Sequence, residues 1–97
     1  MRLDKFLKVS RLIKRRTLAK EVSEVGRILV NGKVAKPATQ VEVGNRIALD
    51  YGSRVVEVEV LEVRESARMA DAREMFRVLE ERRVQQQDPF RDGDRSE

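Results

Sequence analysis

The first 34 residues constrain the fold of this chain more than any other segment. They read MRLDKFLKVSRLIKRRTLAKEVSEVGRILVNGKV: two stretches with helical spacing of apolar residues, then two apolar runs around an Asn-Gly pair. Asn31-Gly32 is a strong signal for a β-hairpin, because both central positions of a type I′ turn need a positive φ. The segment therefore predicts two helices packed against the first hairpin of a sheet.

Both predicted helices have an apolar face. Three apolar residues at i, i+3 and i+4 share one side of a helix over about residues 2–9. A second helix is expected over about residues 16–25, ended by Gly26 in a left-handed conformation. Arg15 and Arg16 at its start oppose the helix dipole, which favours a bound phosphate at that end. The predicted inner faces comprise Leu3, Phe6 and Leu7 in the first helix and Leu18, Ala19, Val22 and Val25 in the second.

The remaining sequence predicts further strands and a third helix. Val56, Val58 and Val60 alternate with two glutamates, which is typical of a half-buried strand with an acidic outer face. A change of phase at Val60-Leu61 predicts a bulge there. Residues 66–83 show helical spacing, with a stripe that either packs into the core or docks a partner protein. That stripe comprises Met69, Ala72, Met75, Phe76 and Leu79.

The expected architecture is an α+β fold. Two N-terminal helices pack on a small antiparallel sheet of four or five short strands, and a C-terminal helix follows. Residues 1–65 are expected to form one domain, and residues 66–84 a helix that packs on this domain or extends it. Residues 85–97 are rich in charge and are expected to be a disordered tail.

Composition excludes several classes of function. The chain has no cysteine and no histidine, which removes disulfides, thiolate metal sites and the commonest general base. No apolar run approaches the roughly 18 residues of a membrane span, and no signal peptide is recognisable. We therefore expect a cytoplasmic monomer that is not an enzyme and that carries neither a cofactor nor a metal.

Charge is divided unequally along the chain. Residues 1–46 hold 12 Lys or Arg against 4 Asp or Glu, whereas residues 47–97 hold 9 against 13. Near the N-terminus Asp4 is a lone acid among many bases, and an ion pair with a nearby arginine is expected of it rather than catalysis. The basic segment predicts a site for a polyanion. The whole chain has only four aromatic residues, so stacking of single-stranded bases, on Tyr51 for example, is a poor explanation of how that polyanion is bound. The expected RNA-binding residues are Arg2, Lys5, Lys8, Arg11, Lys14, Arg15, Arg16, Lys20, Arg27 and Lys33.

Four motifs carry a family resemblance: RLDKFL at residues 2–7, Ser10-Arg11, RRTLA at residues 15–19 and GRILVNGK at residues 26–33. Their spacing resembles the S4 RNA-binding domain over roughly residues 1–60. The resemblance implies a basic face built from both helices. Arg16 falls where the motif usually has a basic residue that contacts RNA, and Arg2 matches the arginine that opens the motif in the stand-alone relatives. Such contacts are made mainly to phosphates and to the shape of A-form RNA.

Within this family the opening segment is similar to short stand-alone proteins of bacterial ribosome-associated quality control and to their heat-shock relatives. The similarity implies that the chain binds 23S rRNA on a large ribosomal subunit that carries an obstructed peptidyl-tRNA in the P site. It also implies a quality-control factor of the Rqc2/NEMF type on the same subunit, which directs alanine tailing of the stalled chain.

Two other interpretations remain open at the level of sequence. One is a heat-shock type of protein that recycles free large subunits with attached nascent chains. The other is an adaptor, either one that binds structured RNA in general or one that acts mainly through its acidic strand and third helix, with RNA binding incidental. An enzyme fragment is disfavoured, because synthases and synthetases with an S4 domain need a further catalytic domain of roughly 150 residues or more.

Overall fold

The structure is a computed structural model and describes residues 1–83; the predicted tail, residues 85–97, lies outside the described residues. No helix in the described part of the chain is both long and apolar enough to cross a membrane. The elements in chain order are α1 (Leu3–Val9), α2 (Arg16–Glu24), β1 (Ile28–Val30), β2 (Lys33–Val34), β3 (Arg46–Asp50), β4 (Arg54–Val60), α3 (Met69–Ala72), a 3₁₀ turn (Arg73–Met75) and β5 (Phe76–Arg83).

Within residues 1–83 the strands form one antiparallel sheet in the order β2-β1-β3-β4-β5. The β1–β2 hairpin turns at Asn31 and Gly32, whose φ angles of 52° and 83° are both positive. The Asn31 carboxamide also accepts the Arg46 N–H at 2.9 Å, which fixes the turn against β3. The predicted α+β fold, the two N-terminal helices and the hairpin are confirmed.

The core lies between α1 and one face of the sheet. Leu3, Phe6 and Leu7 of α1 are fully buried, as their spacing predicts. Val58 and Val60 of β4 are also fully buried, so the alternating pattern of this strand correctly marks its inner face. Each such side chain contributes roughly 1.5–3 kcal/mol to folding by its removal from water.

The predicted helix over residues 66–84 is wrong for most of its described length. Only Met69–Ala72 is α-helical, a 3₁₀ turn follows, and Phe76–Arg83 is a strand paired with β4 from Val60↔Phe76 to Arg54↔Arg83. Of the predicted stripe only Ala72 and Met75 are buried, whereas Met69 is 62% exposed. The edge of β4 offers backbone groups for pairing, and a ladder of bonds to that edge outweighs a weak local helix propensity.

Two smaller predictions are also corrected. The bulge lies at the Glu57/Val58 step, where Leu79 of β5 has no partner, and not at Val60-Leu61. In α2 the buried side is rotated, because Leu18 and Val25 are 44% and 71% exposed.

The buried side of α2 is built from small residues. Ala19 and Ser23 are fully buried, and the Ser23 hydroxyl donates to the Ala19 carbonyl at 2.7 Å. Small side chains let the helix approach the core closely, and the hydroxyl is satisfied within its own helix. The larger apolar residues of α2 are consequently displaced toward the surface.

Candidate nucleic-acid interface

The starts of the two helices are joined by one buried carboxylate. Asp4 is 3% exposed, and its carboxylate accepts hydrogen bonds from Nε and Nη2 of Arg2 at 3.1 and 3.2 Å. The same carboxylate accepts Nη2 of Arg16 at 3.5 Å and the backbone N–H of Lys5 at 2.8 Å. The predicted ion pair of Asp4 is confirmed, and it involves two arginines that are 14 positions apart in the sequence.

This arrangement keeps Asp4 ionised. Burial alone would raise the pKa of the Asp4 carboxyl, but the hydrogen bonds and positive charges of Arg2 and Arg16 outweigh burial and hold the pKa below its ordinary value of 3.8. An ionised Asp4 fixes the two guanidinium groups by charge-assisted bonds. Both arginine side chains remain about half exposed, at 48% each, and so can still reach a ligand in solvent.

A shallow surface depression lies directly over this cluster. It is lined by Arg2, Asp4, Arg16, Thr17 and Lys20. The N-cap residue of α2 is Arg15, which makes no side-chain capping bond, and the first turn of the helix contains no acidic residue. The first amide groups of α2 thus point toward a region where cations are gathered, an arrangement suited to a phosphate.

Arg11 shows a backbone feature that the sequence does not reveal. It follows the C-cap of α1 with a φ of 64°, in the left-handed region that side chains rarely adopt. Its N–H donates to the Lys8 carbonyl at 3.0 Å. Gly26 occupies the same position after α2, with a φ of 83°, so the first helix ends with arginine where the second ends with glycine.

The other expected RNA-binding residues are distributed more widely. Lys5 pairs through Nζ with the carboxylate of Glu65, which reduces its availability. Lys14 and Arg27 line a separate groove, and Lys33 lies on β2. The remaining cations of the set are exposed and pair with no carboxylate among residues 1–83: Lys8, Arg11 and Arg15.

This chain is similar to known proteins in both sequence and fold. The family model described as "S4 domain" matches residues 1–47. A protein of Listeria innocua named "RQC P-site tRNA stabilizing factor" is 51% identical over 84 residues, which cover 87% of this chain and 91% of that protein. A protein of the same name from Halalkalibacterium halodurans is 56% identical over 81 residues, covering 84% and 92%. The trimeric structure of Vibrio cholerae heat shock protein 15 superposes with a TM-score of 0.76 and 33% identity, covering 80% of each chain.

Proposed function

The chain belongs to the S4 domain family, and from that premise we propose that it is a non-enzymatic RNA-binding factor that steadies a P-site tRNA on the large ribosomal subunit. Two relatives named for this role, from Listeria innocua and Halalkalibacterium halodurans, match it over more than nine tenths of their own length. The observation that carries the proposal is the Arg2–Asp4–Arg16 cluster at the uncapped start of α2.

The cluster supports phosphate recognition by leaving donors free. A guanidinium group has five N–H donors, and Asp4 uses two of those on Arg2 and one on Arg16. Most donors on both side chains are therefore available to phosphate oxygens, in an orientation that Asp4 has already fixed. Preorganisation of this kind lowers the entropy lost when long side chains are immobilised on binding.

No chemical step is required of the protein in this role. A factor that binds one arrangement of tRNA and large subunit more tightly than others raises the population of that arrangement by linkage. The preferred arrangement in our proposal is a subunit with an obstructed peptidyl-tRNA, on which a factor of the Rqc2/NEMF type directs alanine tailing. Such a role would place the protein in the cytoplasm, in contact with 23S rRNA as well as tRNA.

The likeness to heat shock protein 15 favours a second candidate, the recycling of free large subunits with attached nascent chains. Both candidates keep a peptidyl-tRNA on the large subunit, because a nascent chain is attached through its tRNA, and they differ in whether a factor of the Rqc2/NEMF type and an alanine tail are also present. Sedimentation of a tagged chain from lysate, with sequencing of the bound RNA and analysis of the bound proteins, separates them. Large subunits with tRNA and alanine-tailed chains support the quality-control role, large subunits with tRNA and untailed chains support recycling, and small subunits contradict both.

The residue-level test is Arg16→Ala. We expect this change to weaken binding to tRNA-carrying large subunits by about 1–3 kcal/mol, or roughly 5- to 150-fold, because charge-assisted bonds to phosphate are lost. Arg73→Ala is a matched control, since Arg73 is an exposed arginine in the 3₁₀ turn outside the basic helices. Co-sedimentation gives the affinity and circular dichroism checks the fold. Unchanged affinity in a folded Arg16→Ala chain would contradict the proposal.

A further inference from the structure

A second depression in this protein is apolar and is separate from the Arg2–Asp4–Arg16 cluster. It has a volume of about 430 Å³ and lies among the loop before α2, α2 itself and the strands β1 and β3. We call it the apolar groove. Its lining includes Leu12, Leu18, Val22, Leu49 and Tyr51.

Opposite walls of the apolar groove come from α2 and from the segment that ends β3. Leu18 of α2 is 44% exposed, although the sequence predicts it to be in the core. Tyr51 follows β3, and its hydroxyl donates to the Leu12 carbonyl at 2.8 Å. Burial raises the pKa of Tyr51, against the lowering effect of Arg54, so the hydroxyl remains a donor and fixes the ring against the loop.

Cations are placed at the rim of the apolar groove. Lys14 and Arg27 both line it, both are exposed, and neither pairs with a carboxylate of the described residues. The one acid in the lining is Asp50, whose Oδ1 accepts the Gly52 N–H at 2.8 Å. The groove is therefore apolar within, and two basic residues lie against one acidic residue at its rim.

We propose that the apolar groove takes one unstacked nucleobase of the bound RNA, with the phosphates beside that base on Lys14 and Arg27. Charge complementarity selects this occupant, because a nucleotide chain presents a flat base with apolar faces between two phosphate anions. An apolar peptide segment would fill the walls but would leave both cations without partners. The inference deepens the proposed function, since it assigns a second contact to the same bound RNA.

The proposed contact differs in kind from the contacts of the basic cluster. Phosphate contacts position a protein on RNA without discriminating between sequences, whereas an unpaired base offers stacking and edge contacts that a paired base does not. The scarcity of aromatic residues argues against a run of stacked bases, and the sequence offers no reason to assign even one base to Tyr51. The structure supplies that reason, because Tyr51 and Leu18 line the same groove. The protein should therefore favour RNA with an unpaired nucleotide at one fixed position.

The test uses base-specific chemical probing of the RNA that co-purifies with the full-length chain. We expect at least one unpaired base to be protected by the wild-type chain, and to be exposed again with Leu18→Ser at saturating protein. Val25→Ser is the matched control, because Val25 is 71% exposed at the end of the same helix and does not line the groove. This control should keep the protection.

Affinity provides a second measurement on the same variants. Leu18→Ser should weaken binding by about 5-fold, because the base loses apolar contact with a leucine that is only partly exposed in the free protein, with an unchanged dependence on salt. Lys14→Ala should instead reduce the salt slope by about 1. Circular dichroism establishes that each variant is folded.

The outcomes separate this inference from the proposed function. If the bound RNA is not ribosomal but one unpaired base still depends on Leu18, the proposed function fails and the inference stands. If the chain binds large subunits and no protected base depends on Leu18, the inference fails and the proposed function stands. Protection of paired bases only, or a peptide found in the groove in place of RNA, would also overturn the inference.

Discussion

Arg11 offers a test in which stability and RNA binding should move in opposite directions. It has a φ of 64°, and a left-handed backbone costs a residue with a side chain about 1–2 kcal/mol. Glycine does not have this cost, although its greater conformational freedom in the unfolded chain lowers the free energy of unfolding by about 0.5–1 kcal/mol. We therefore expect Arg11→Gly to raise the free energy of unfolding by about 0.5–1 kcal/mol, and the Tm by about 2–8 °C.

The matched variant is Arg11→Ala, which removes the same charge and keeps the backbone strain. Arg11 is exposed, so neither change removes buried packing. The two variants should lose RNA affinity equally, by about 1 kcal/mol if one phosphate contact is lost, while only the glycine variant gains stability.

Urea unfolding followed by circular dichroism gives the stabilities, and co-sedimentation with large subunits gives the affinities. A glycine variant no more stable than the alanine variant would refute the assignment of strain. A glycine variant that binds RNA as tightly as the wild type would refute a role for the Arg11 charge. The expected combination, a stabilised protein that binds RNA less tightly, would indicate that the backbone strain at Arg11 is retained because its side chain contributes to RNA binding.

Two further predictions concern stability. Folding lowers the pKa of Asp4, so its contribution to stability is fully present above its ordinary pKa of 3.8 and is lost as the pH falls through the folded pKa. Asp4→Asn should lower the free energy of unfolding by about 1 kcal/mol at neutral pH and flatten the acid side of a plot of urea midpoint against pH. An acid side that the substitution leaves unchanged would contradict the ion-pair assignment. Met75→Ala should lower the free energy of unfolding by about 2–5 kcal/mol, because Met75 is fully buried. Met69 is 62% exposed, so Met69→Ala should change this free energy by less than about 0.5 kcal/mol. Equal effects in urea unfolding would show that the segment before β5 does not pack as described.

Local sequence signals were sufficient for the first half of the fold. The helix over Leu3–Val9, the end of α2 at Gly26 and the hairpin at Asn31-Gly32 all follow from interactions within a few residues. Turn chemistry, helical spacing and the positive φ that glycine tolerates decide such features wherever the segment lies in a protein. The concentration of basic residues in the same region is likewise a property of the sequence alone.

Which basic residues lie together was decided by the tertiary structure. The sequence shows Arg2 and Arg16 as two members of a long series, and only the packing of α1 against α2 brings both onto Asp4. Lys5 belongs to the same series, yet its partner Glu65 lies 60 positions away in the chain. The apolar groove could not be predicted from the sequence either. Leu18, which lines it, has the spacing of a core residue.

The sequence by itself determined the N-terminal helices, the hairpin and the positive charge, since each depends only on residues close to one another along the chain. The tertiary structure alone decided that Phe76–Arg83 is a strand and that Leu18 is left at the surface. In both cases the outcome depends on the neighbouring element rather than on the segment itself. A strand forms where a partner strand has free backbone groups, and a helix buries the face that lets it approach its neighbour most closely.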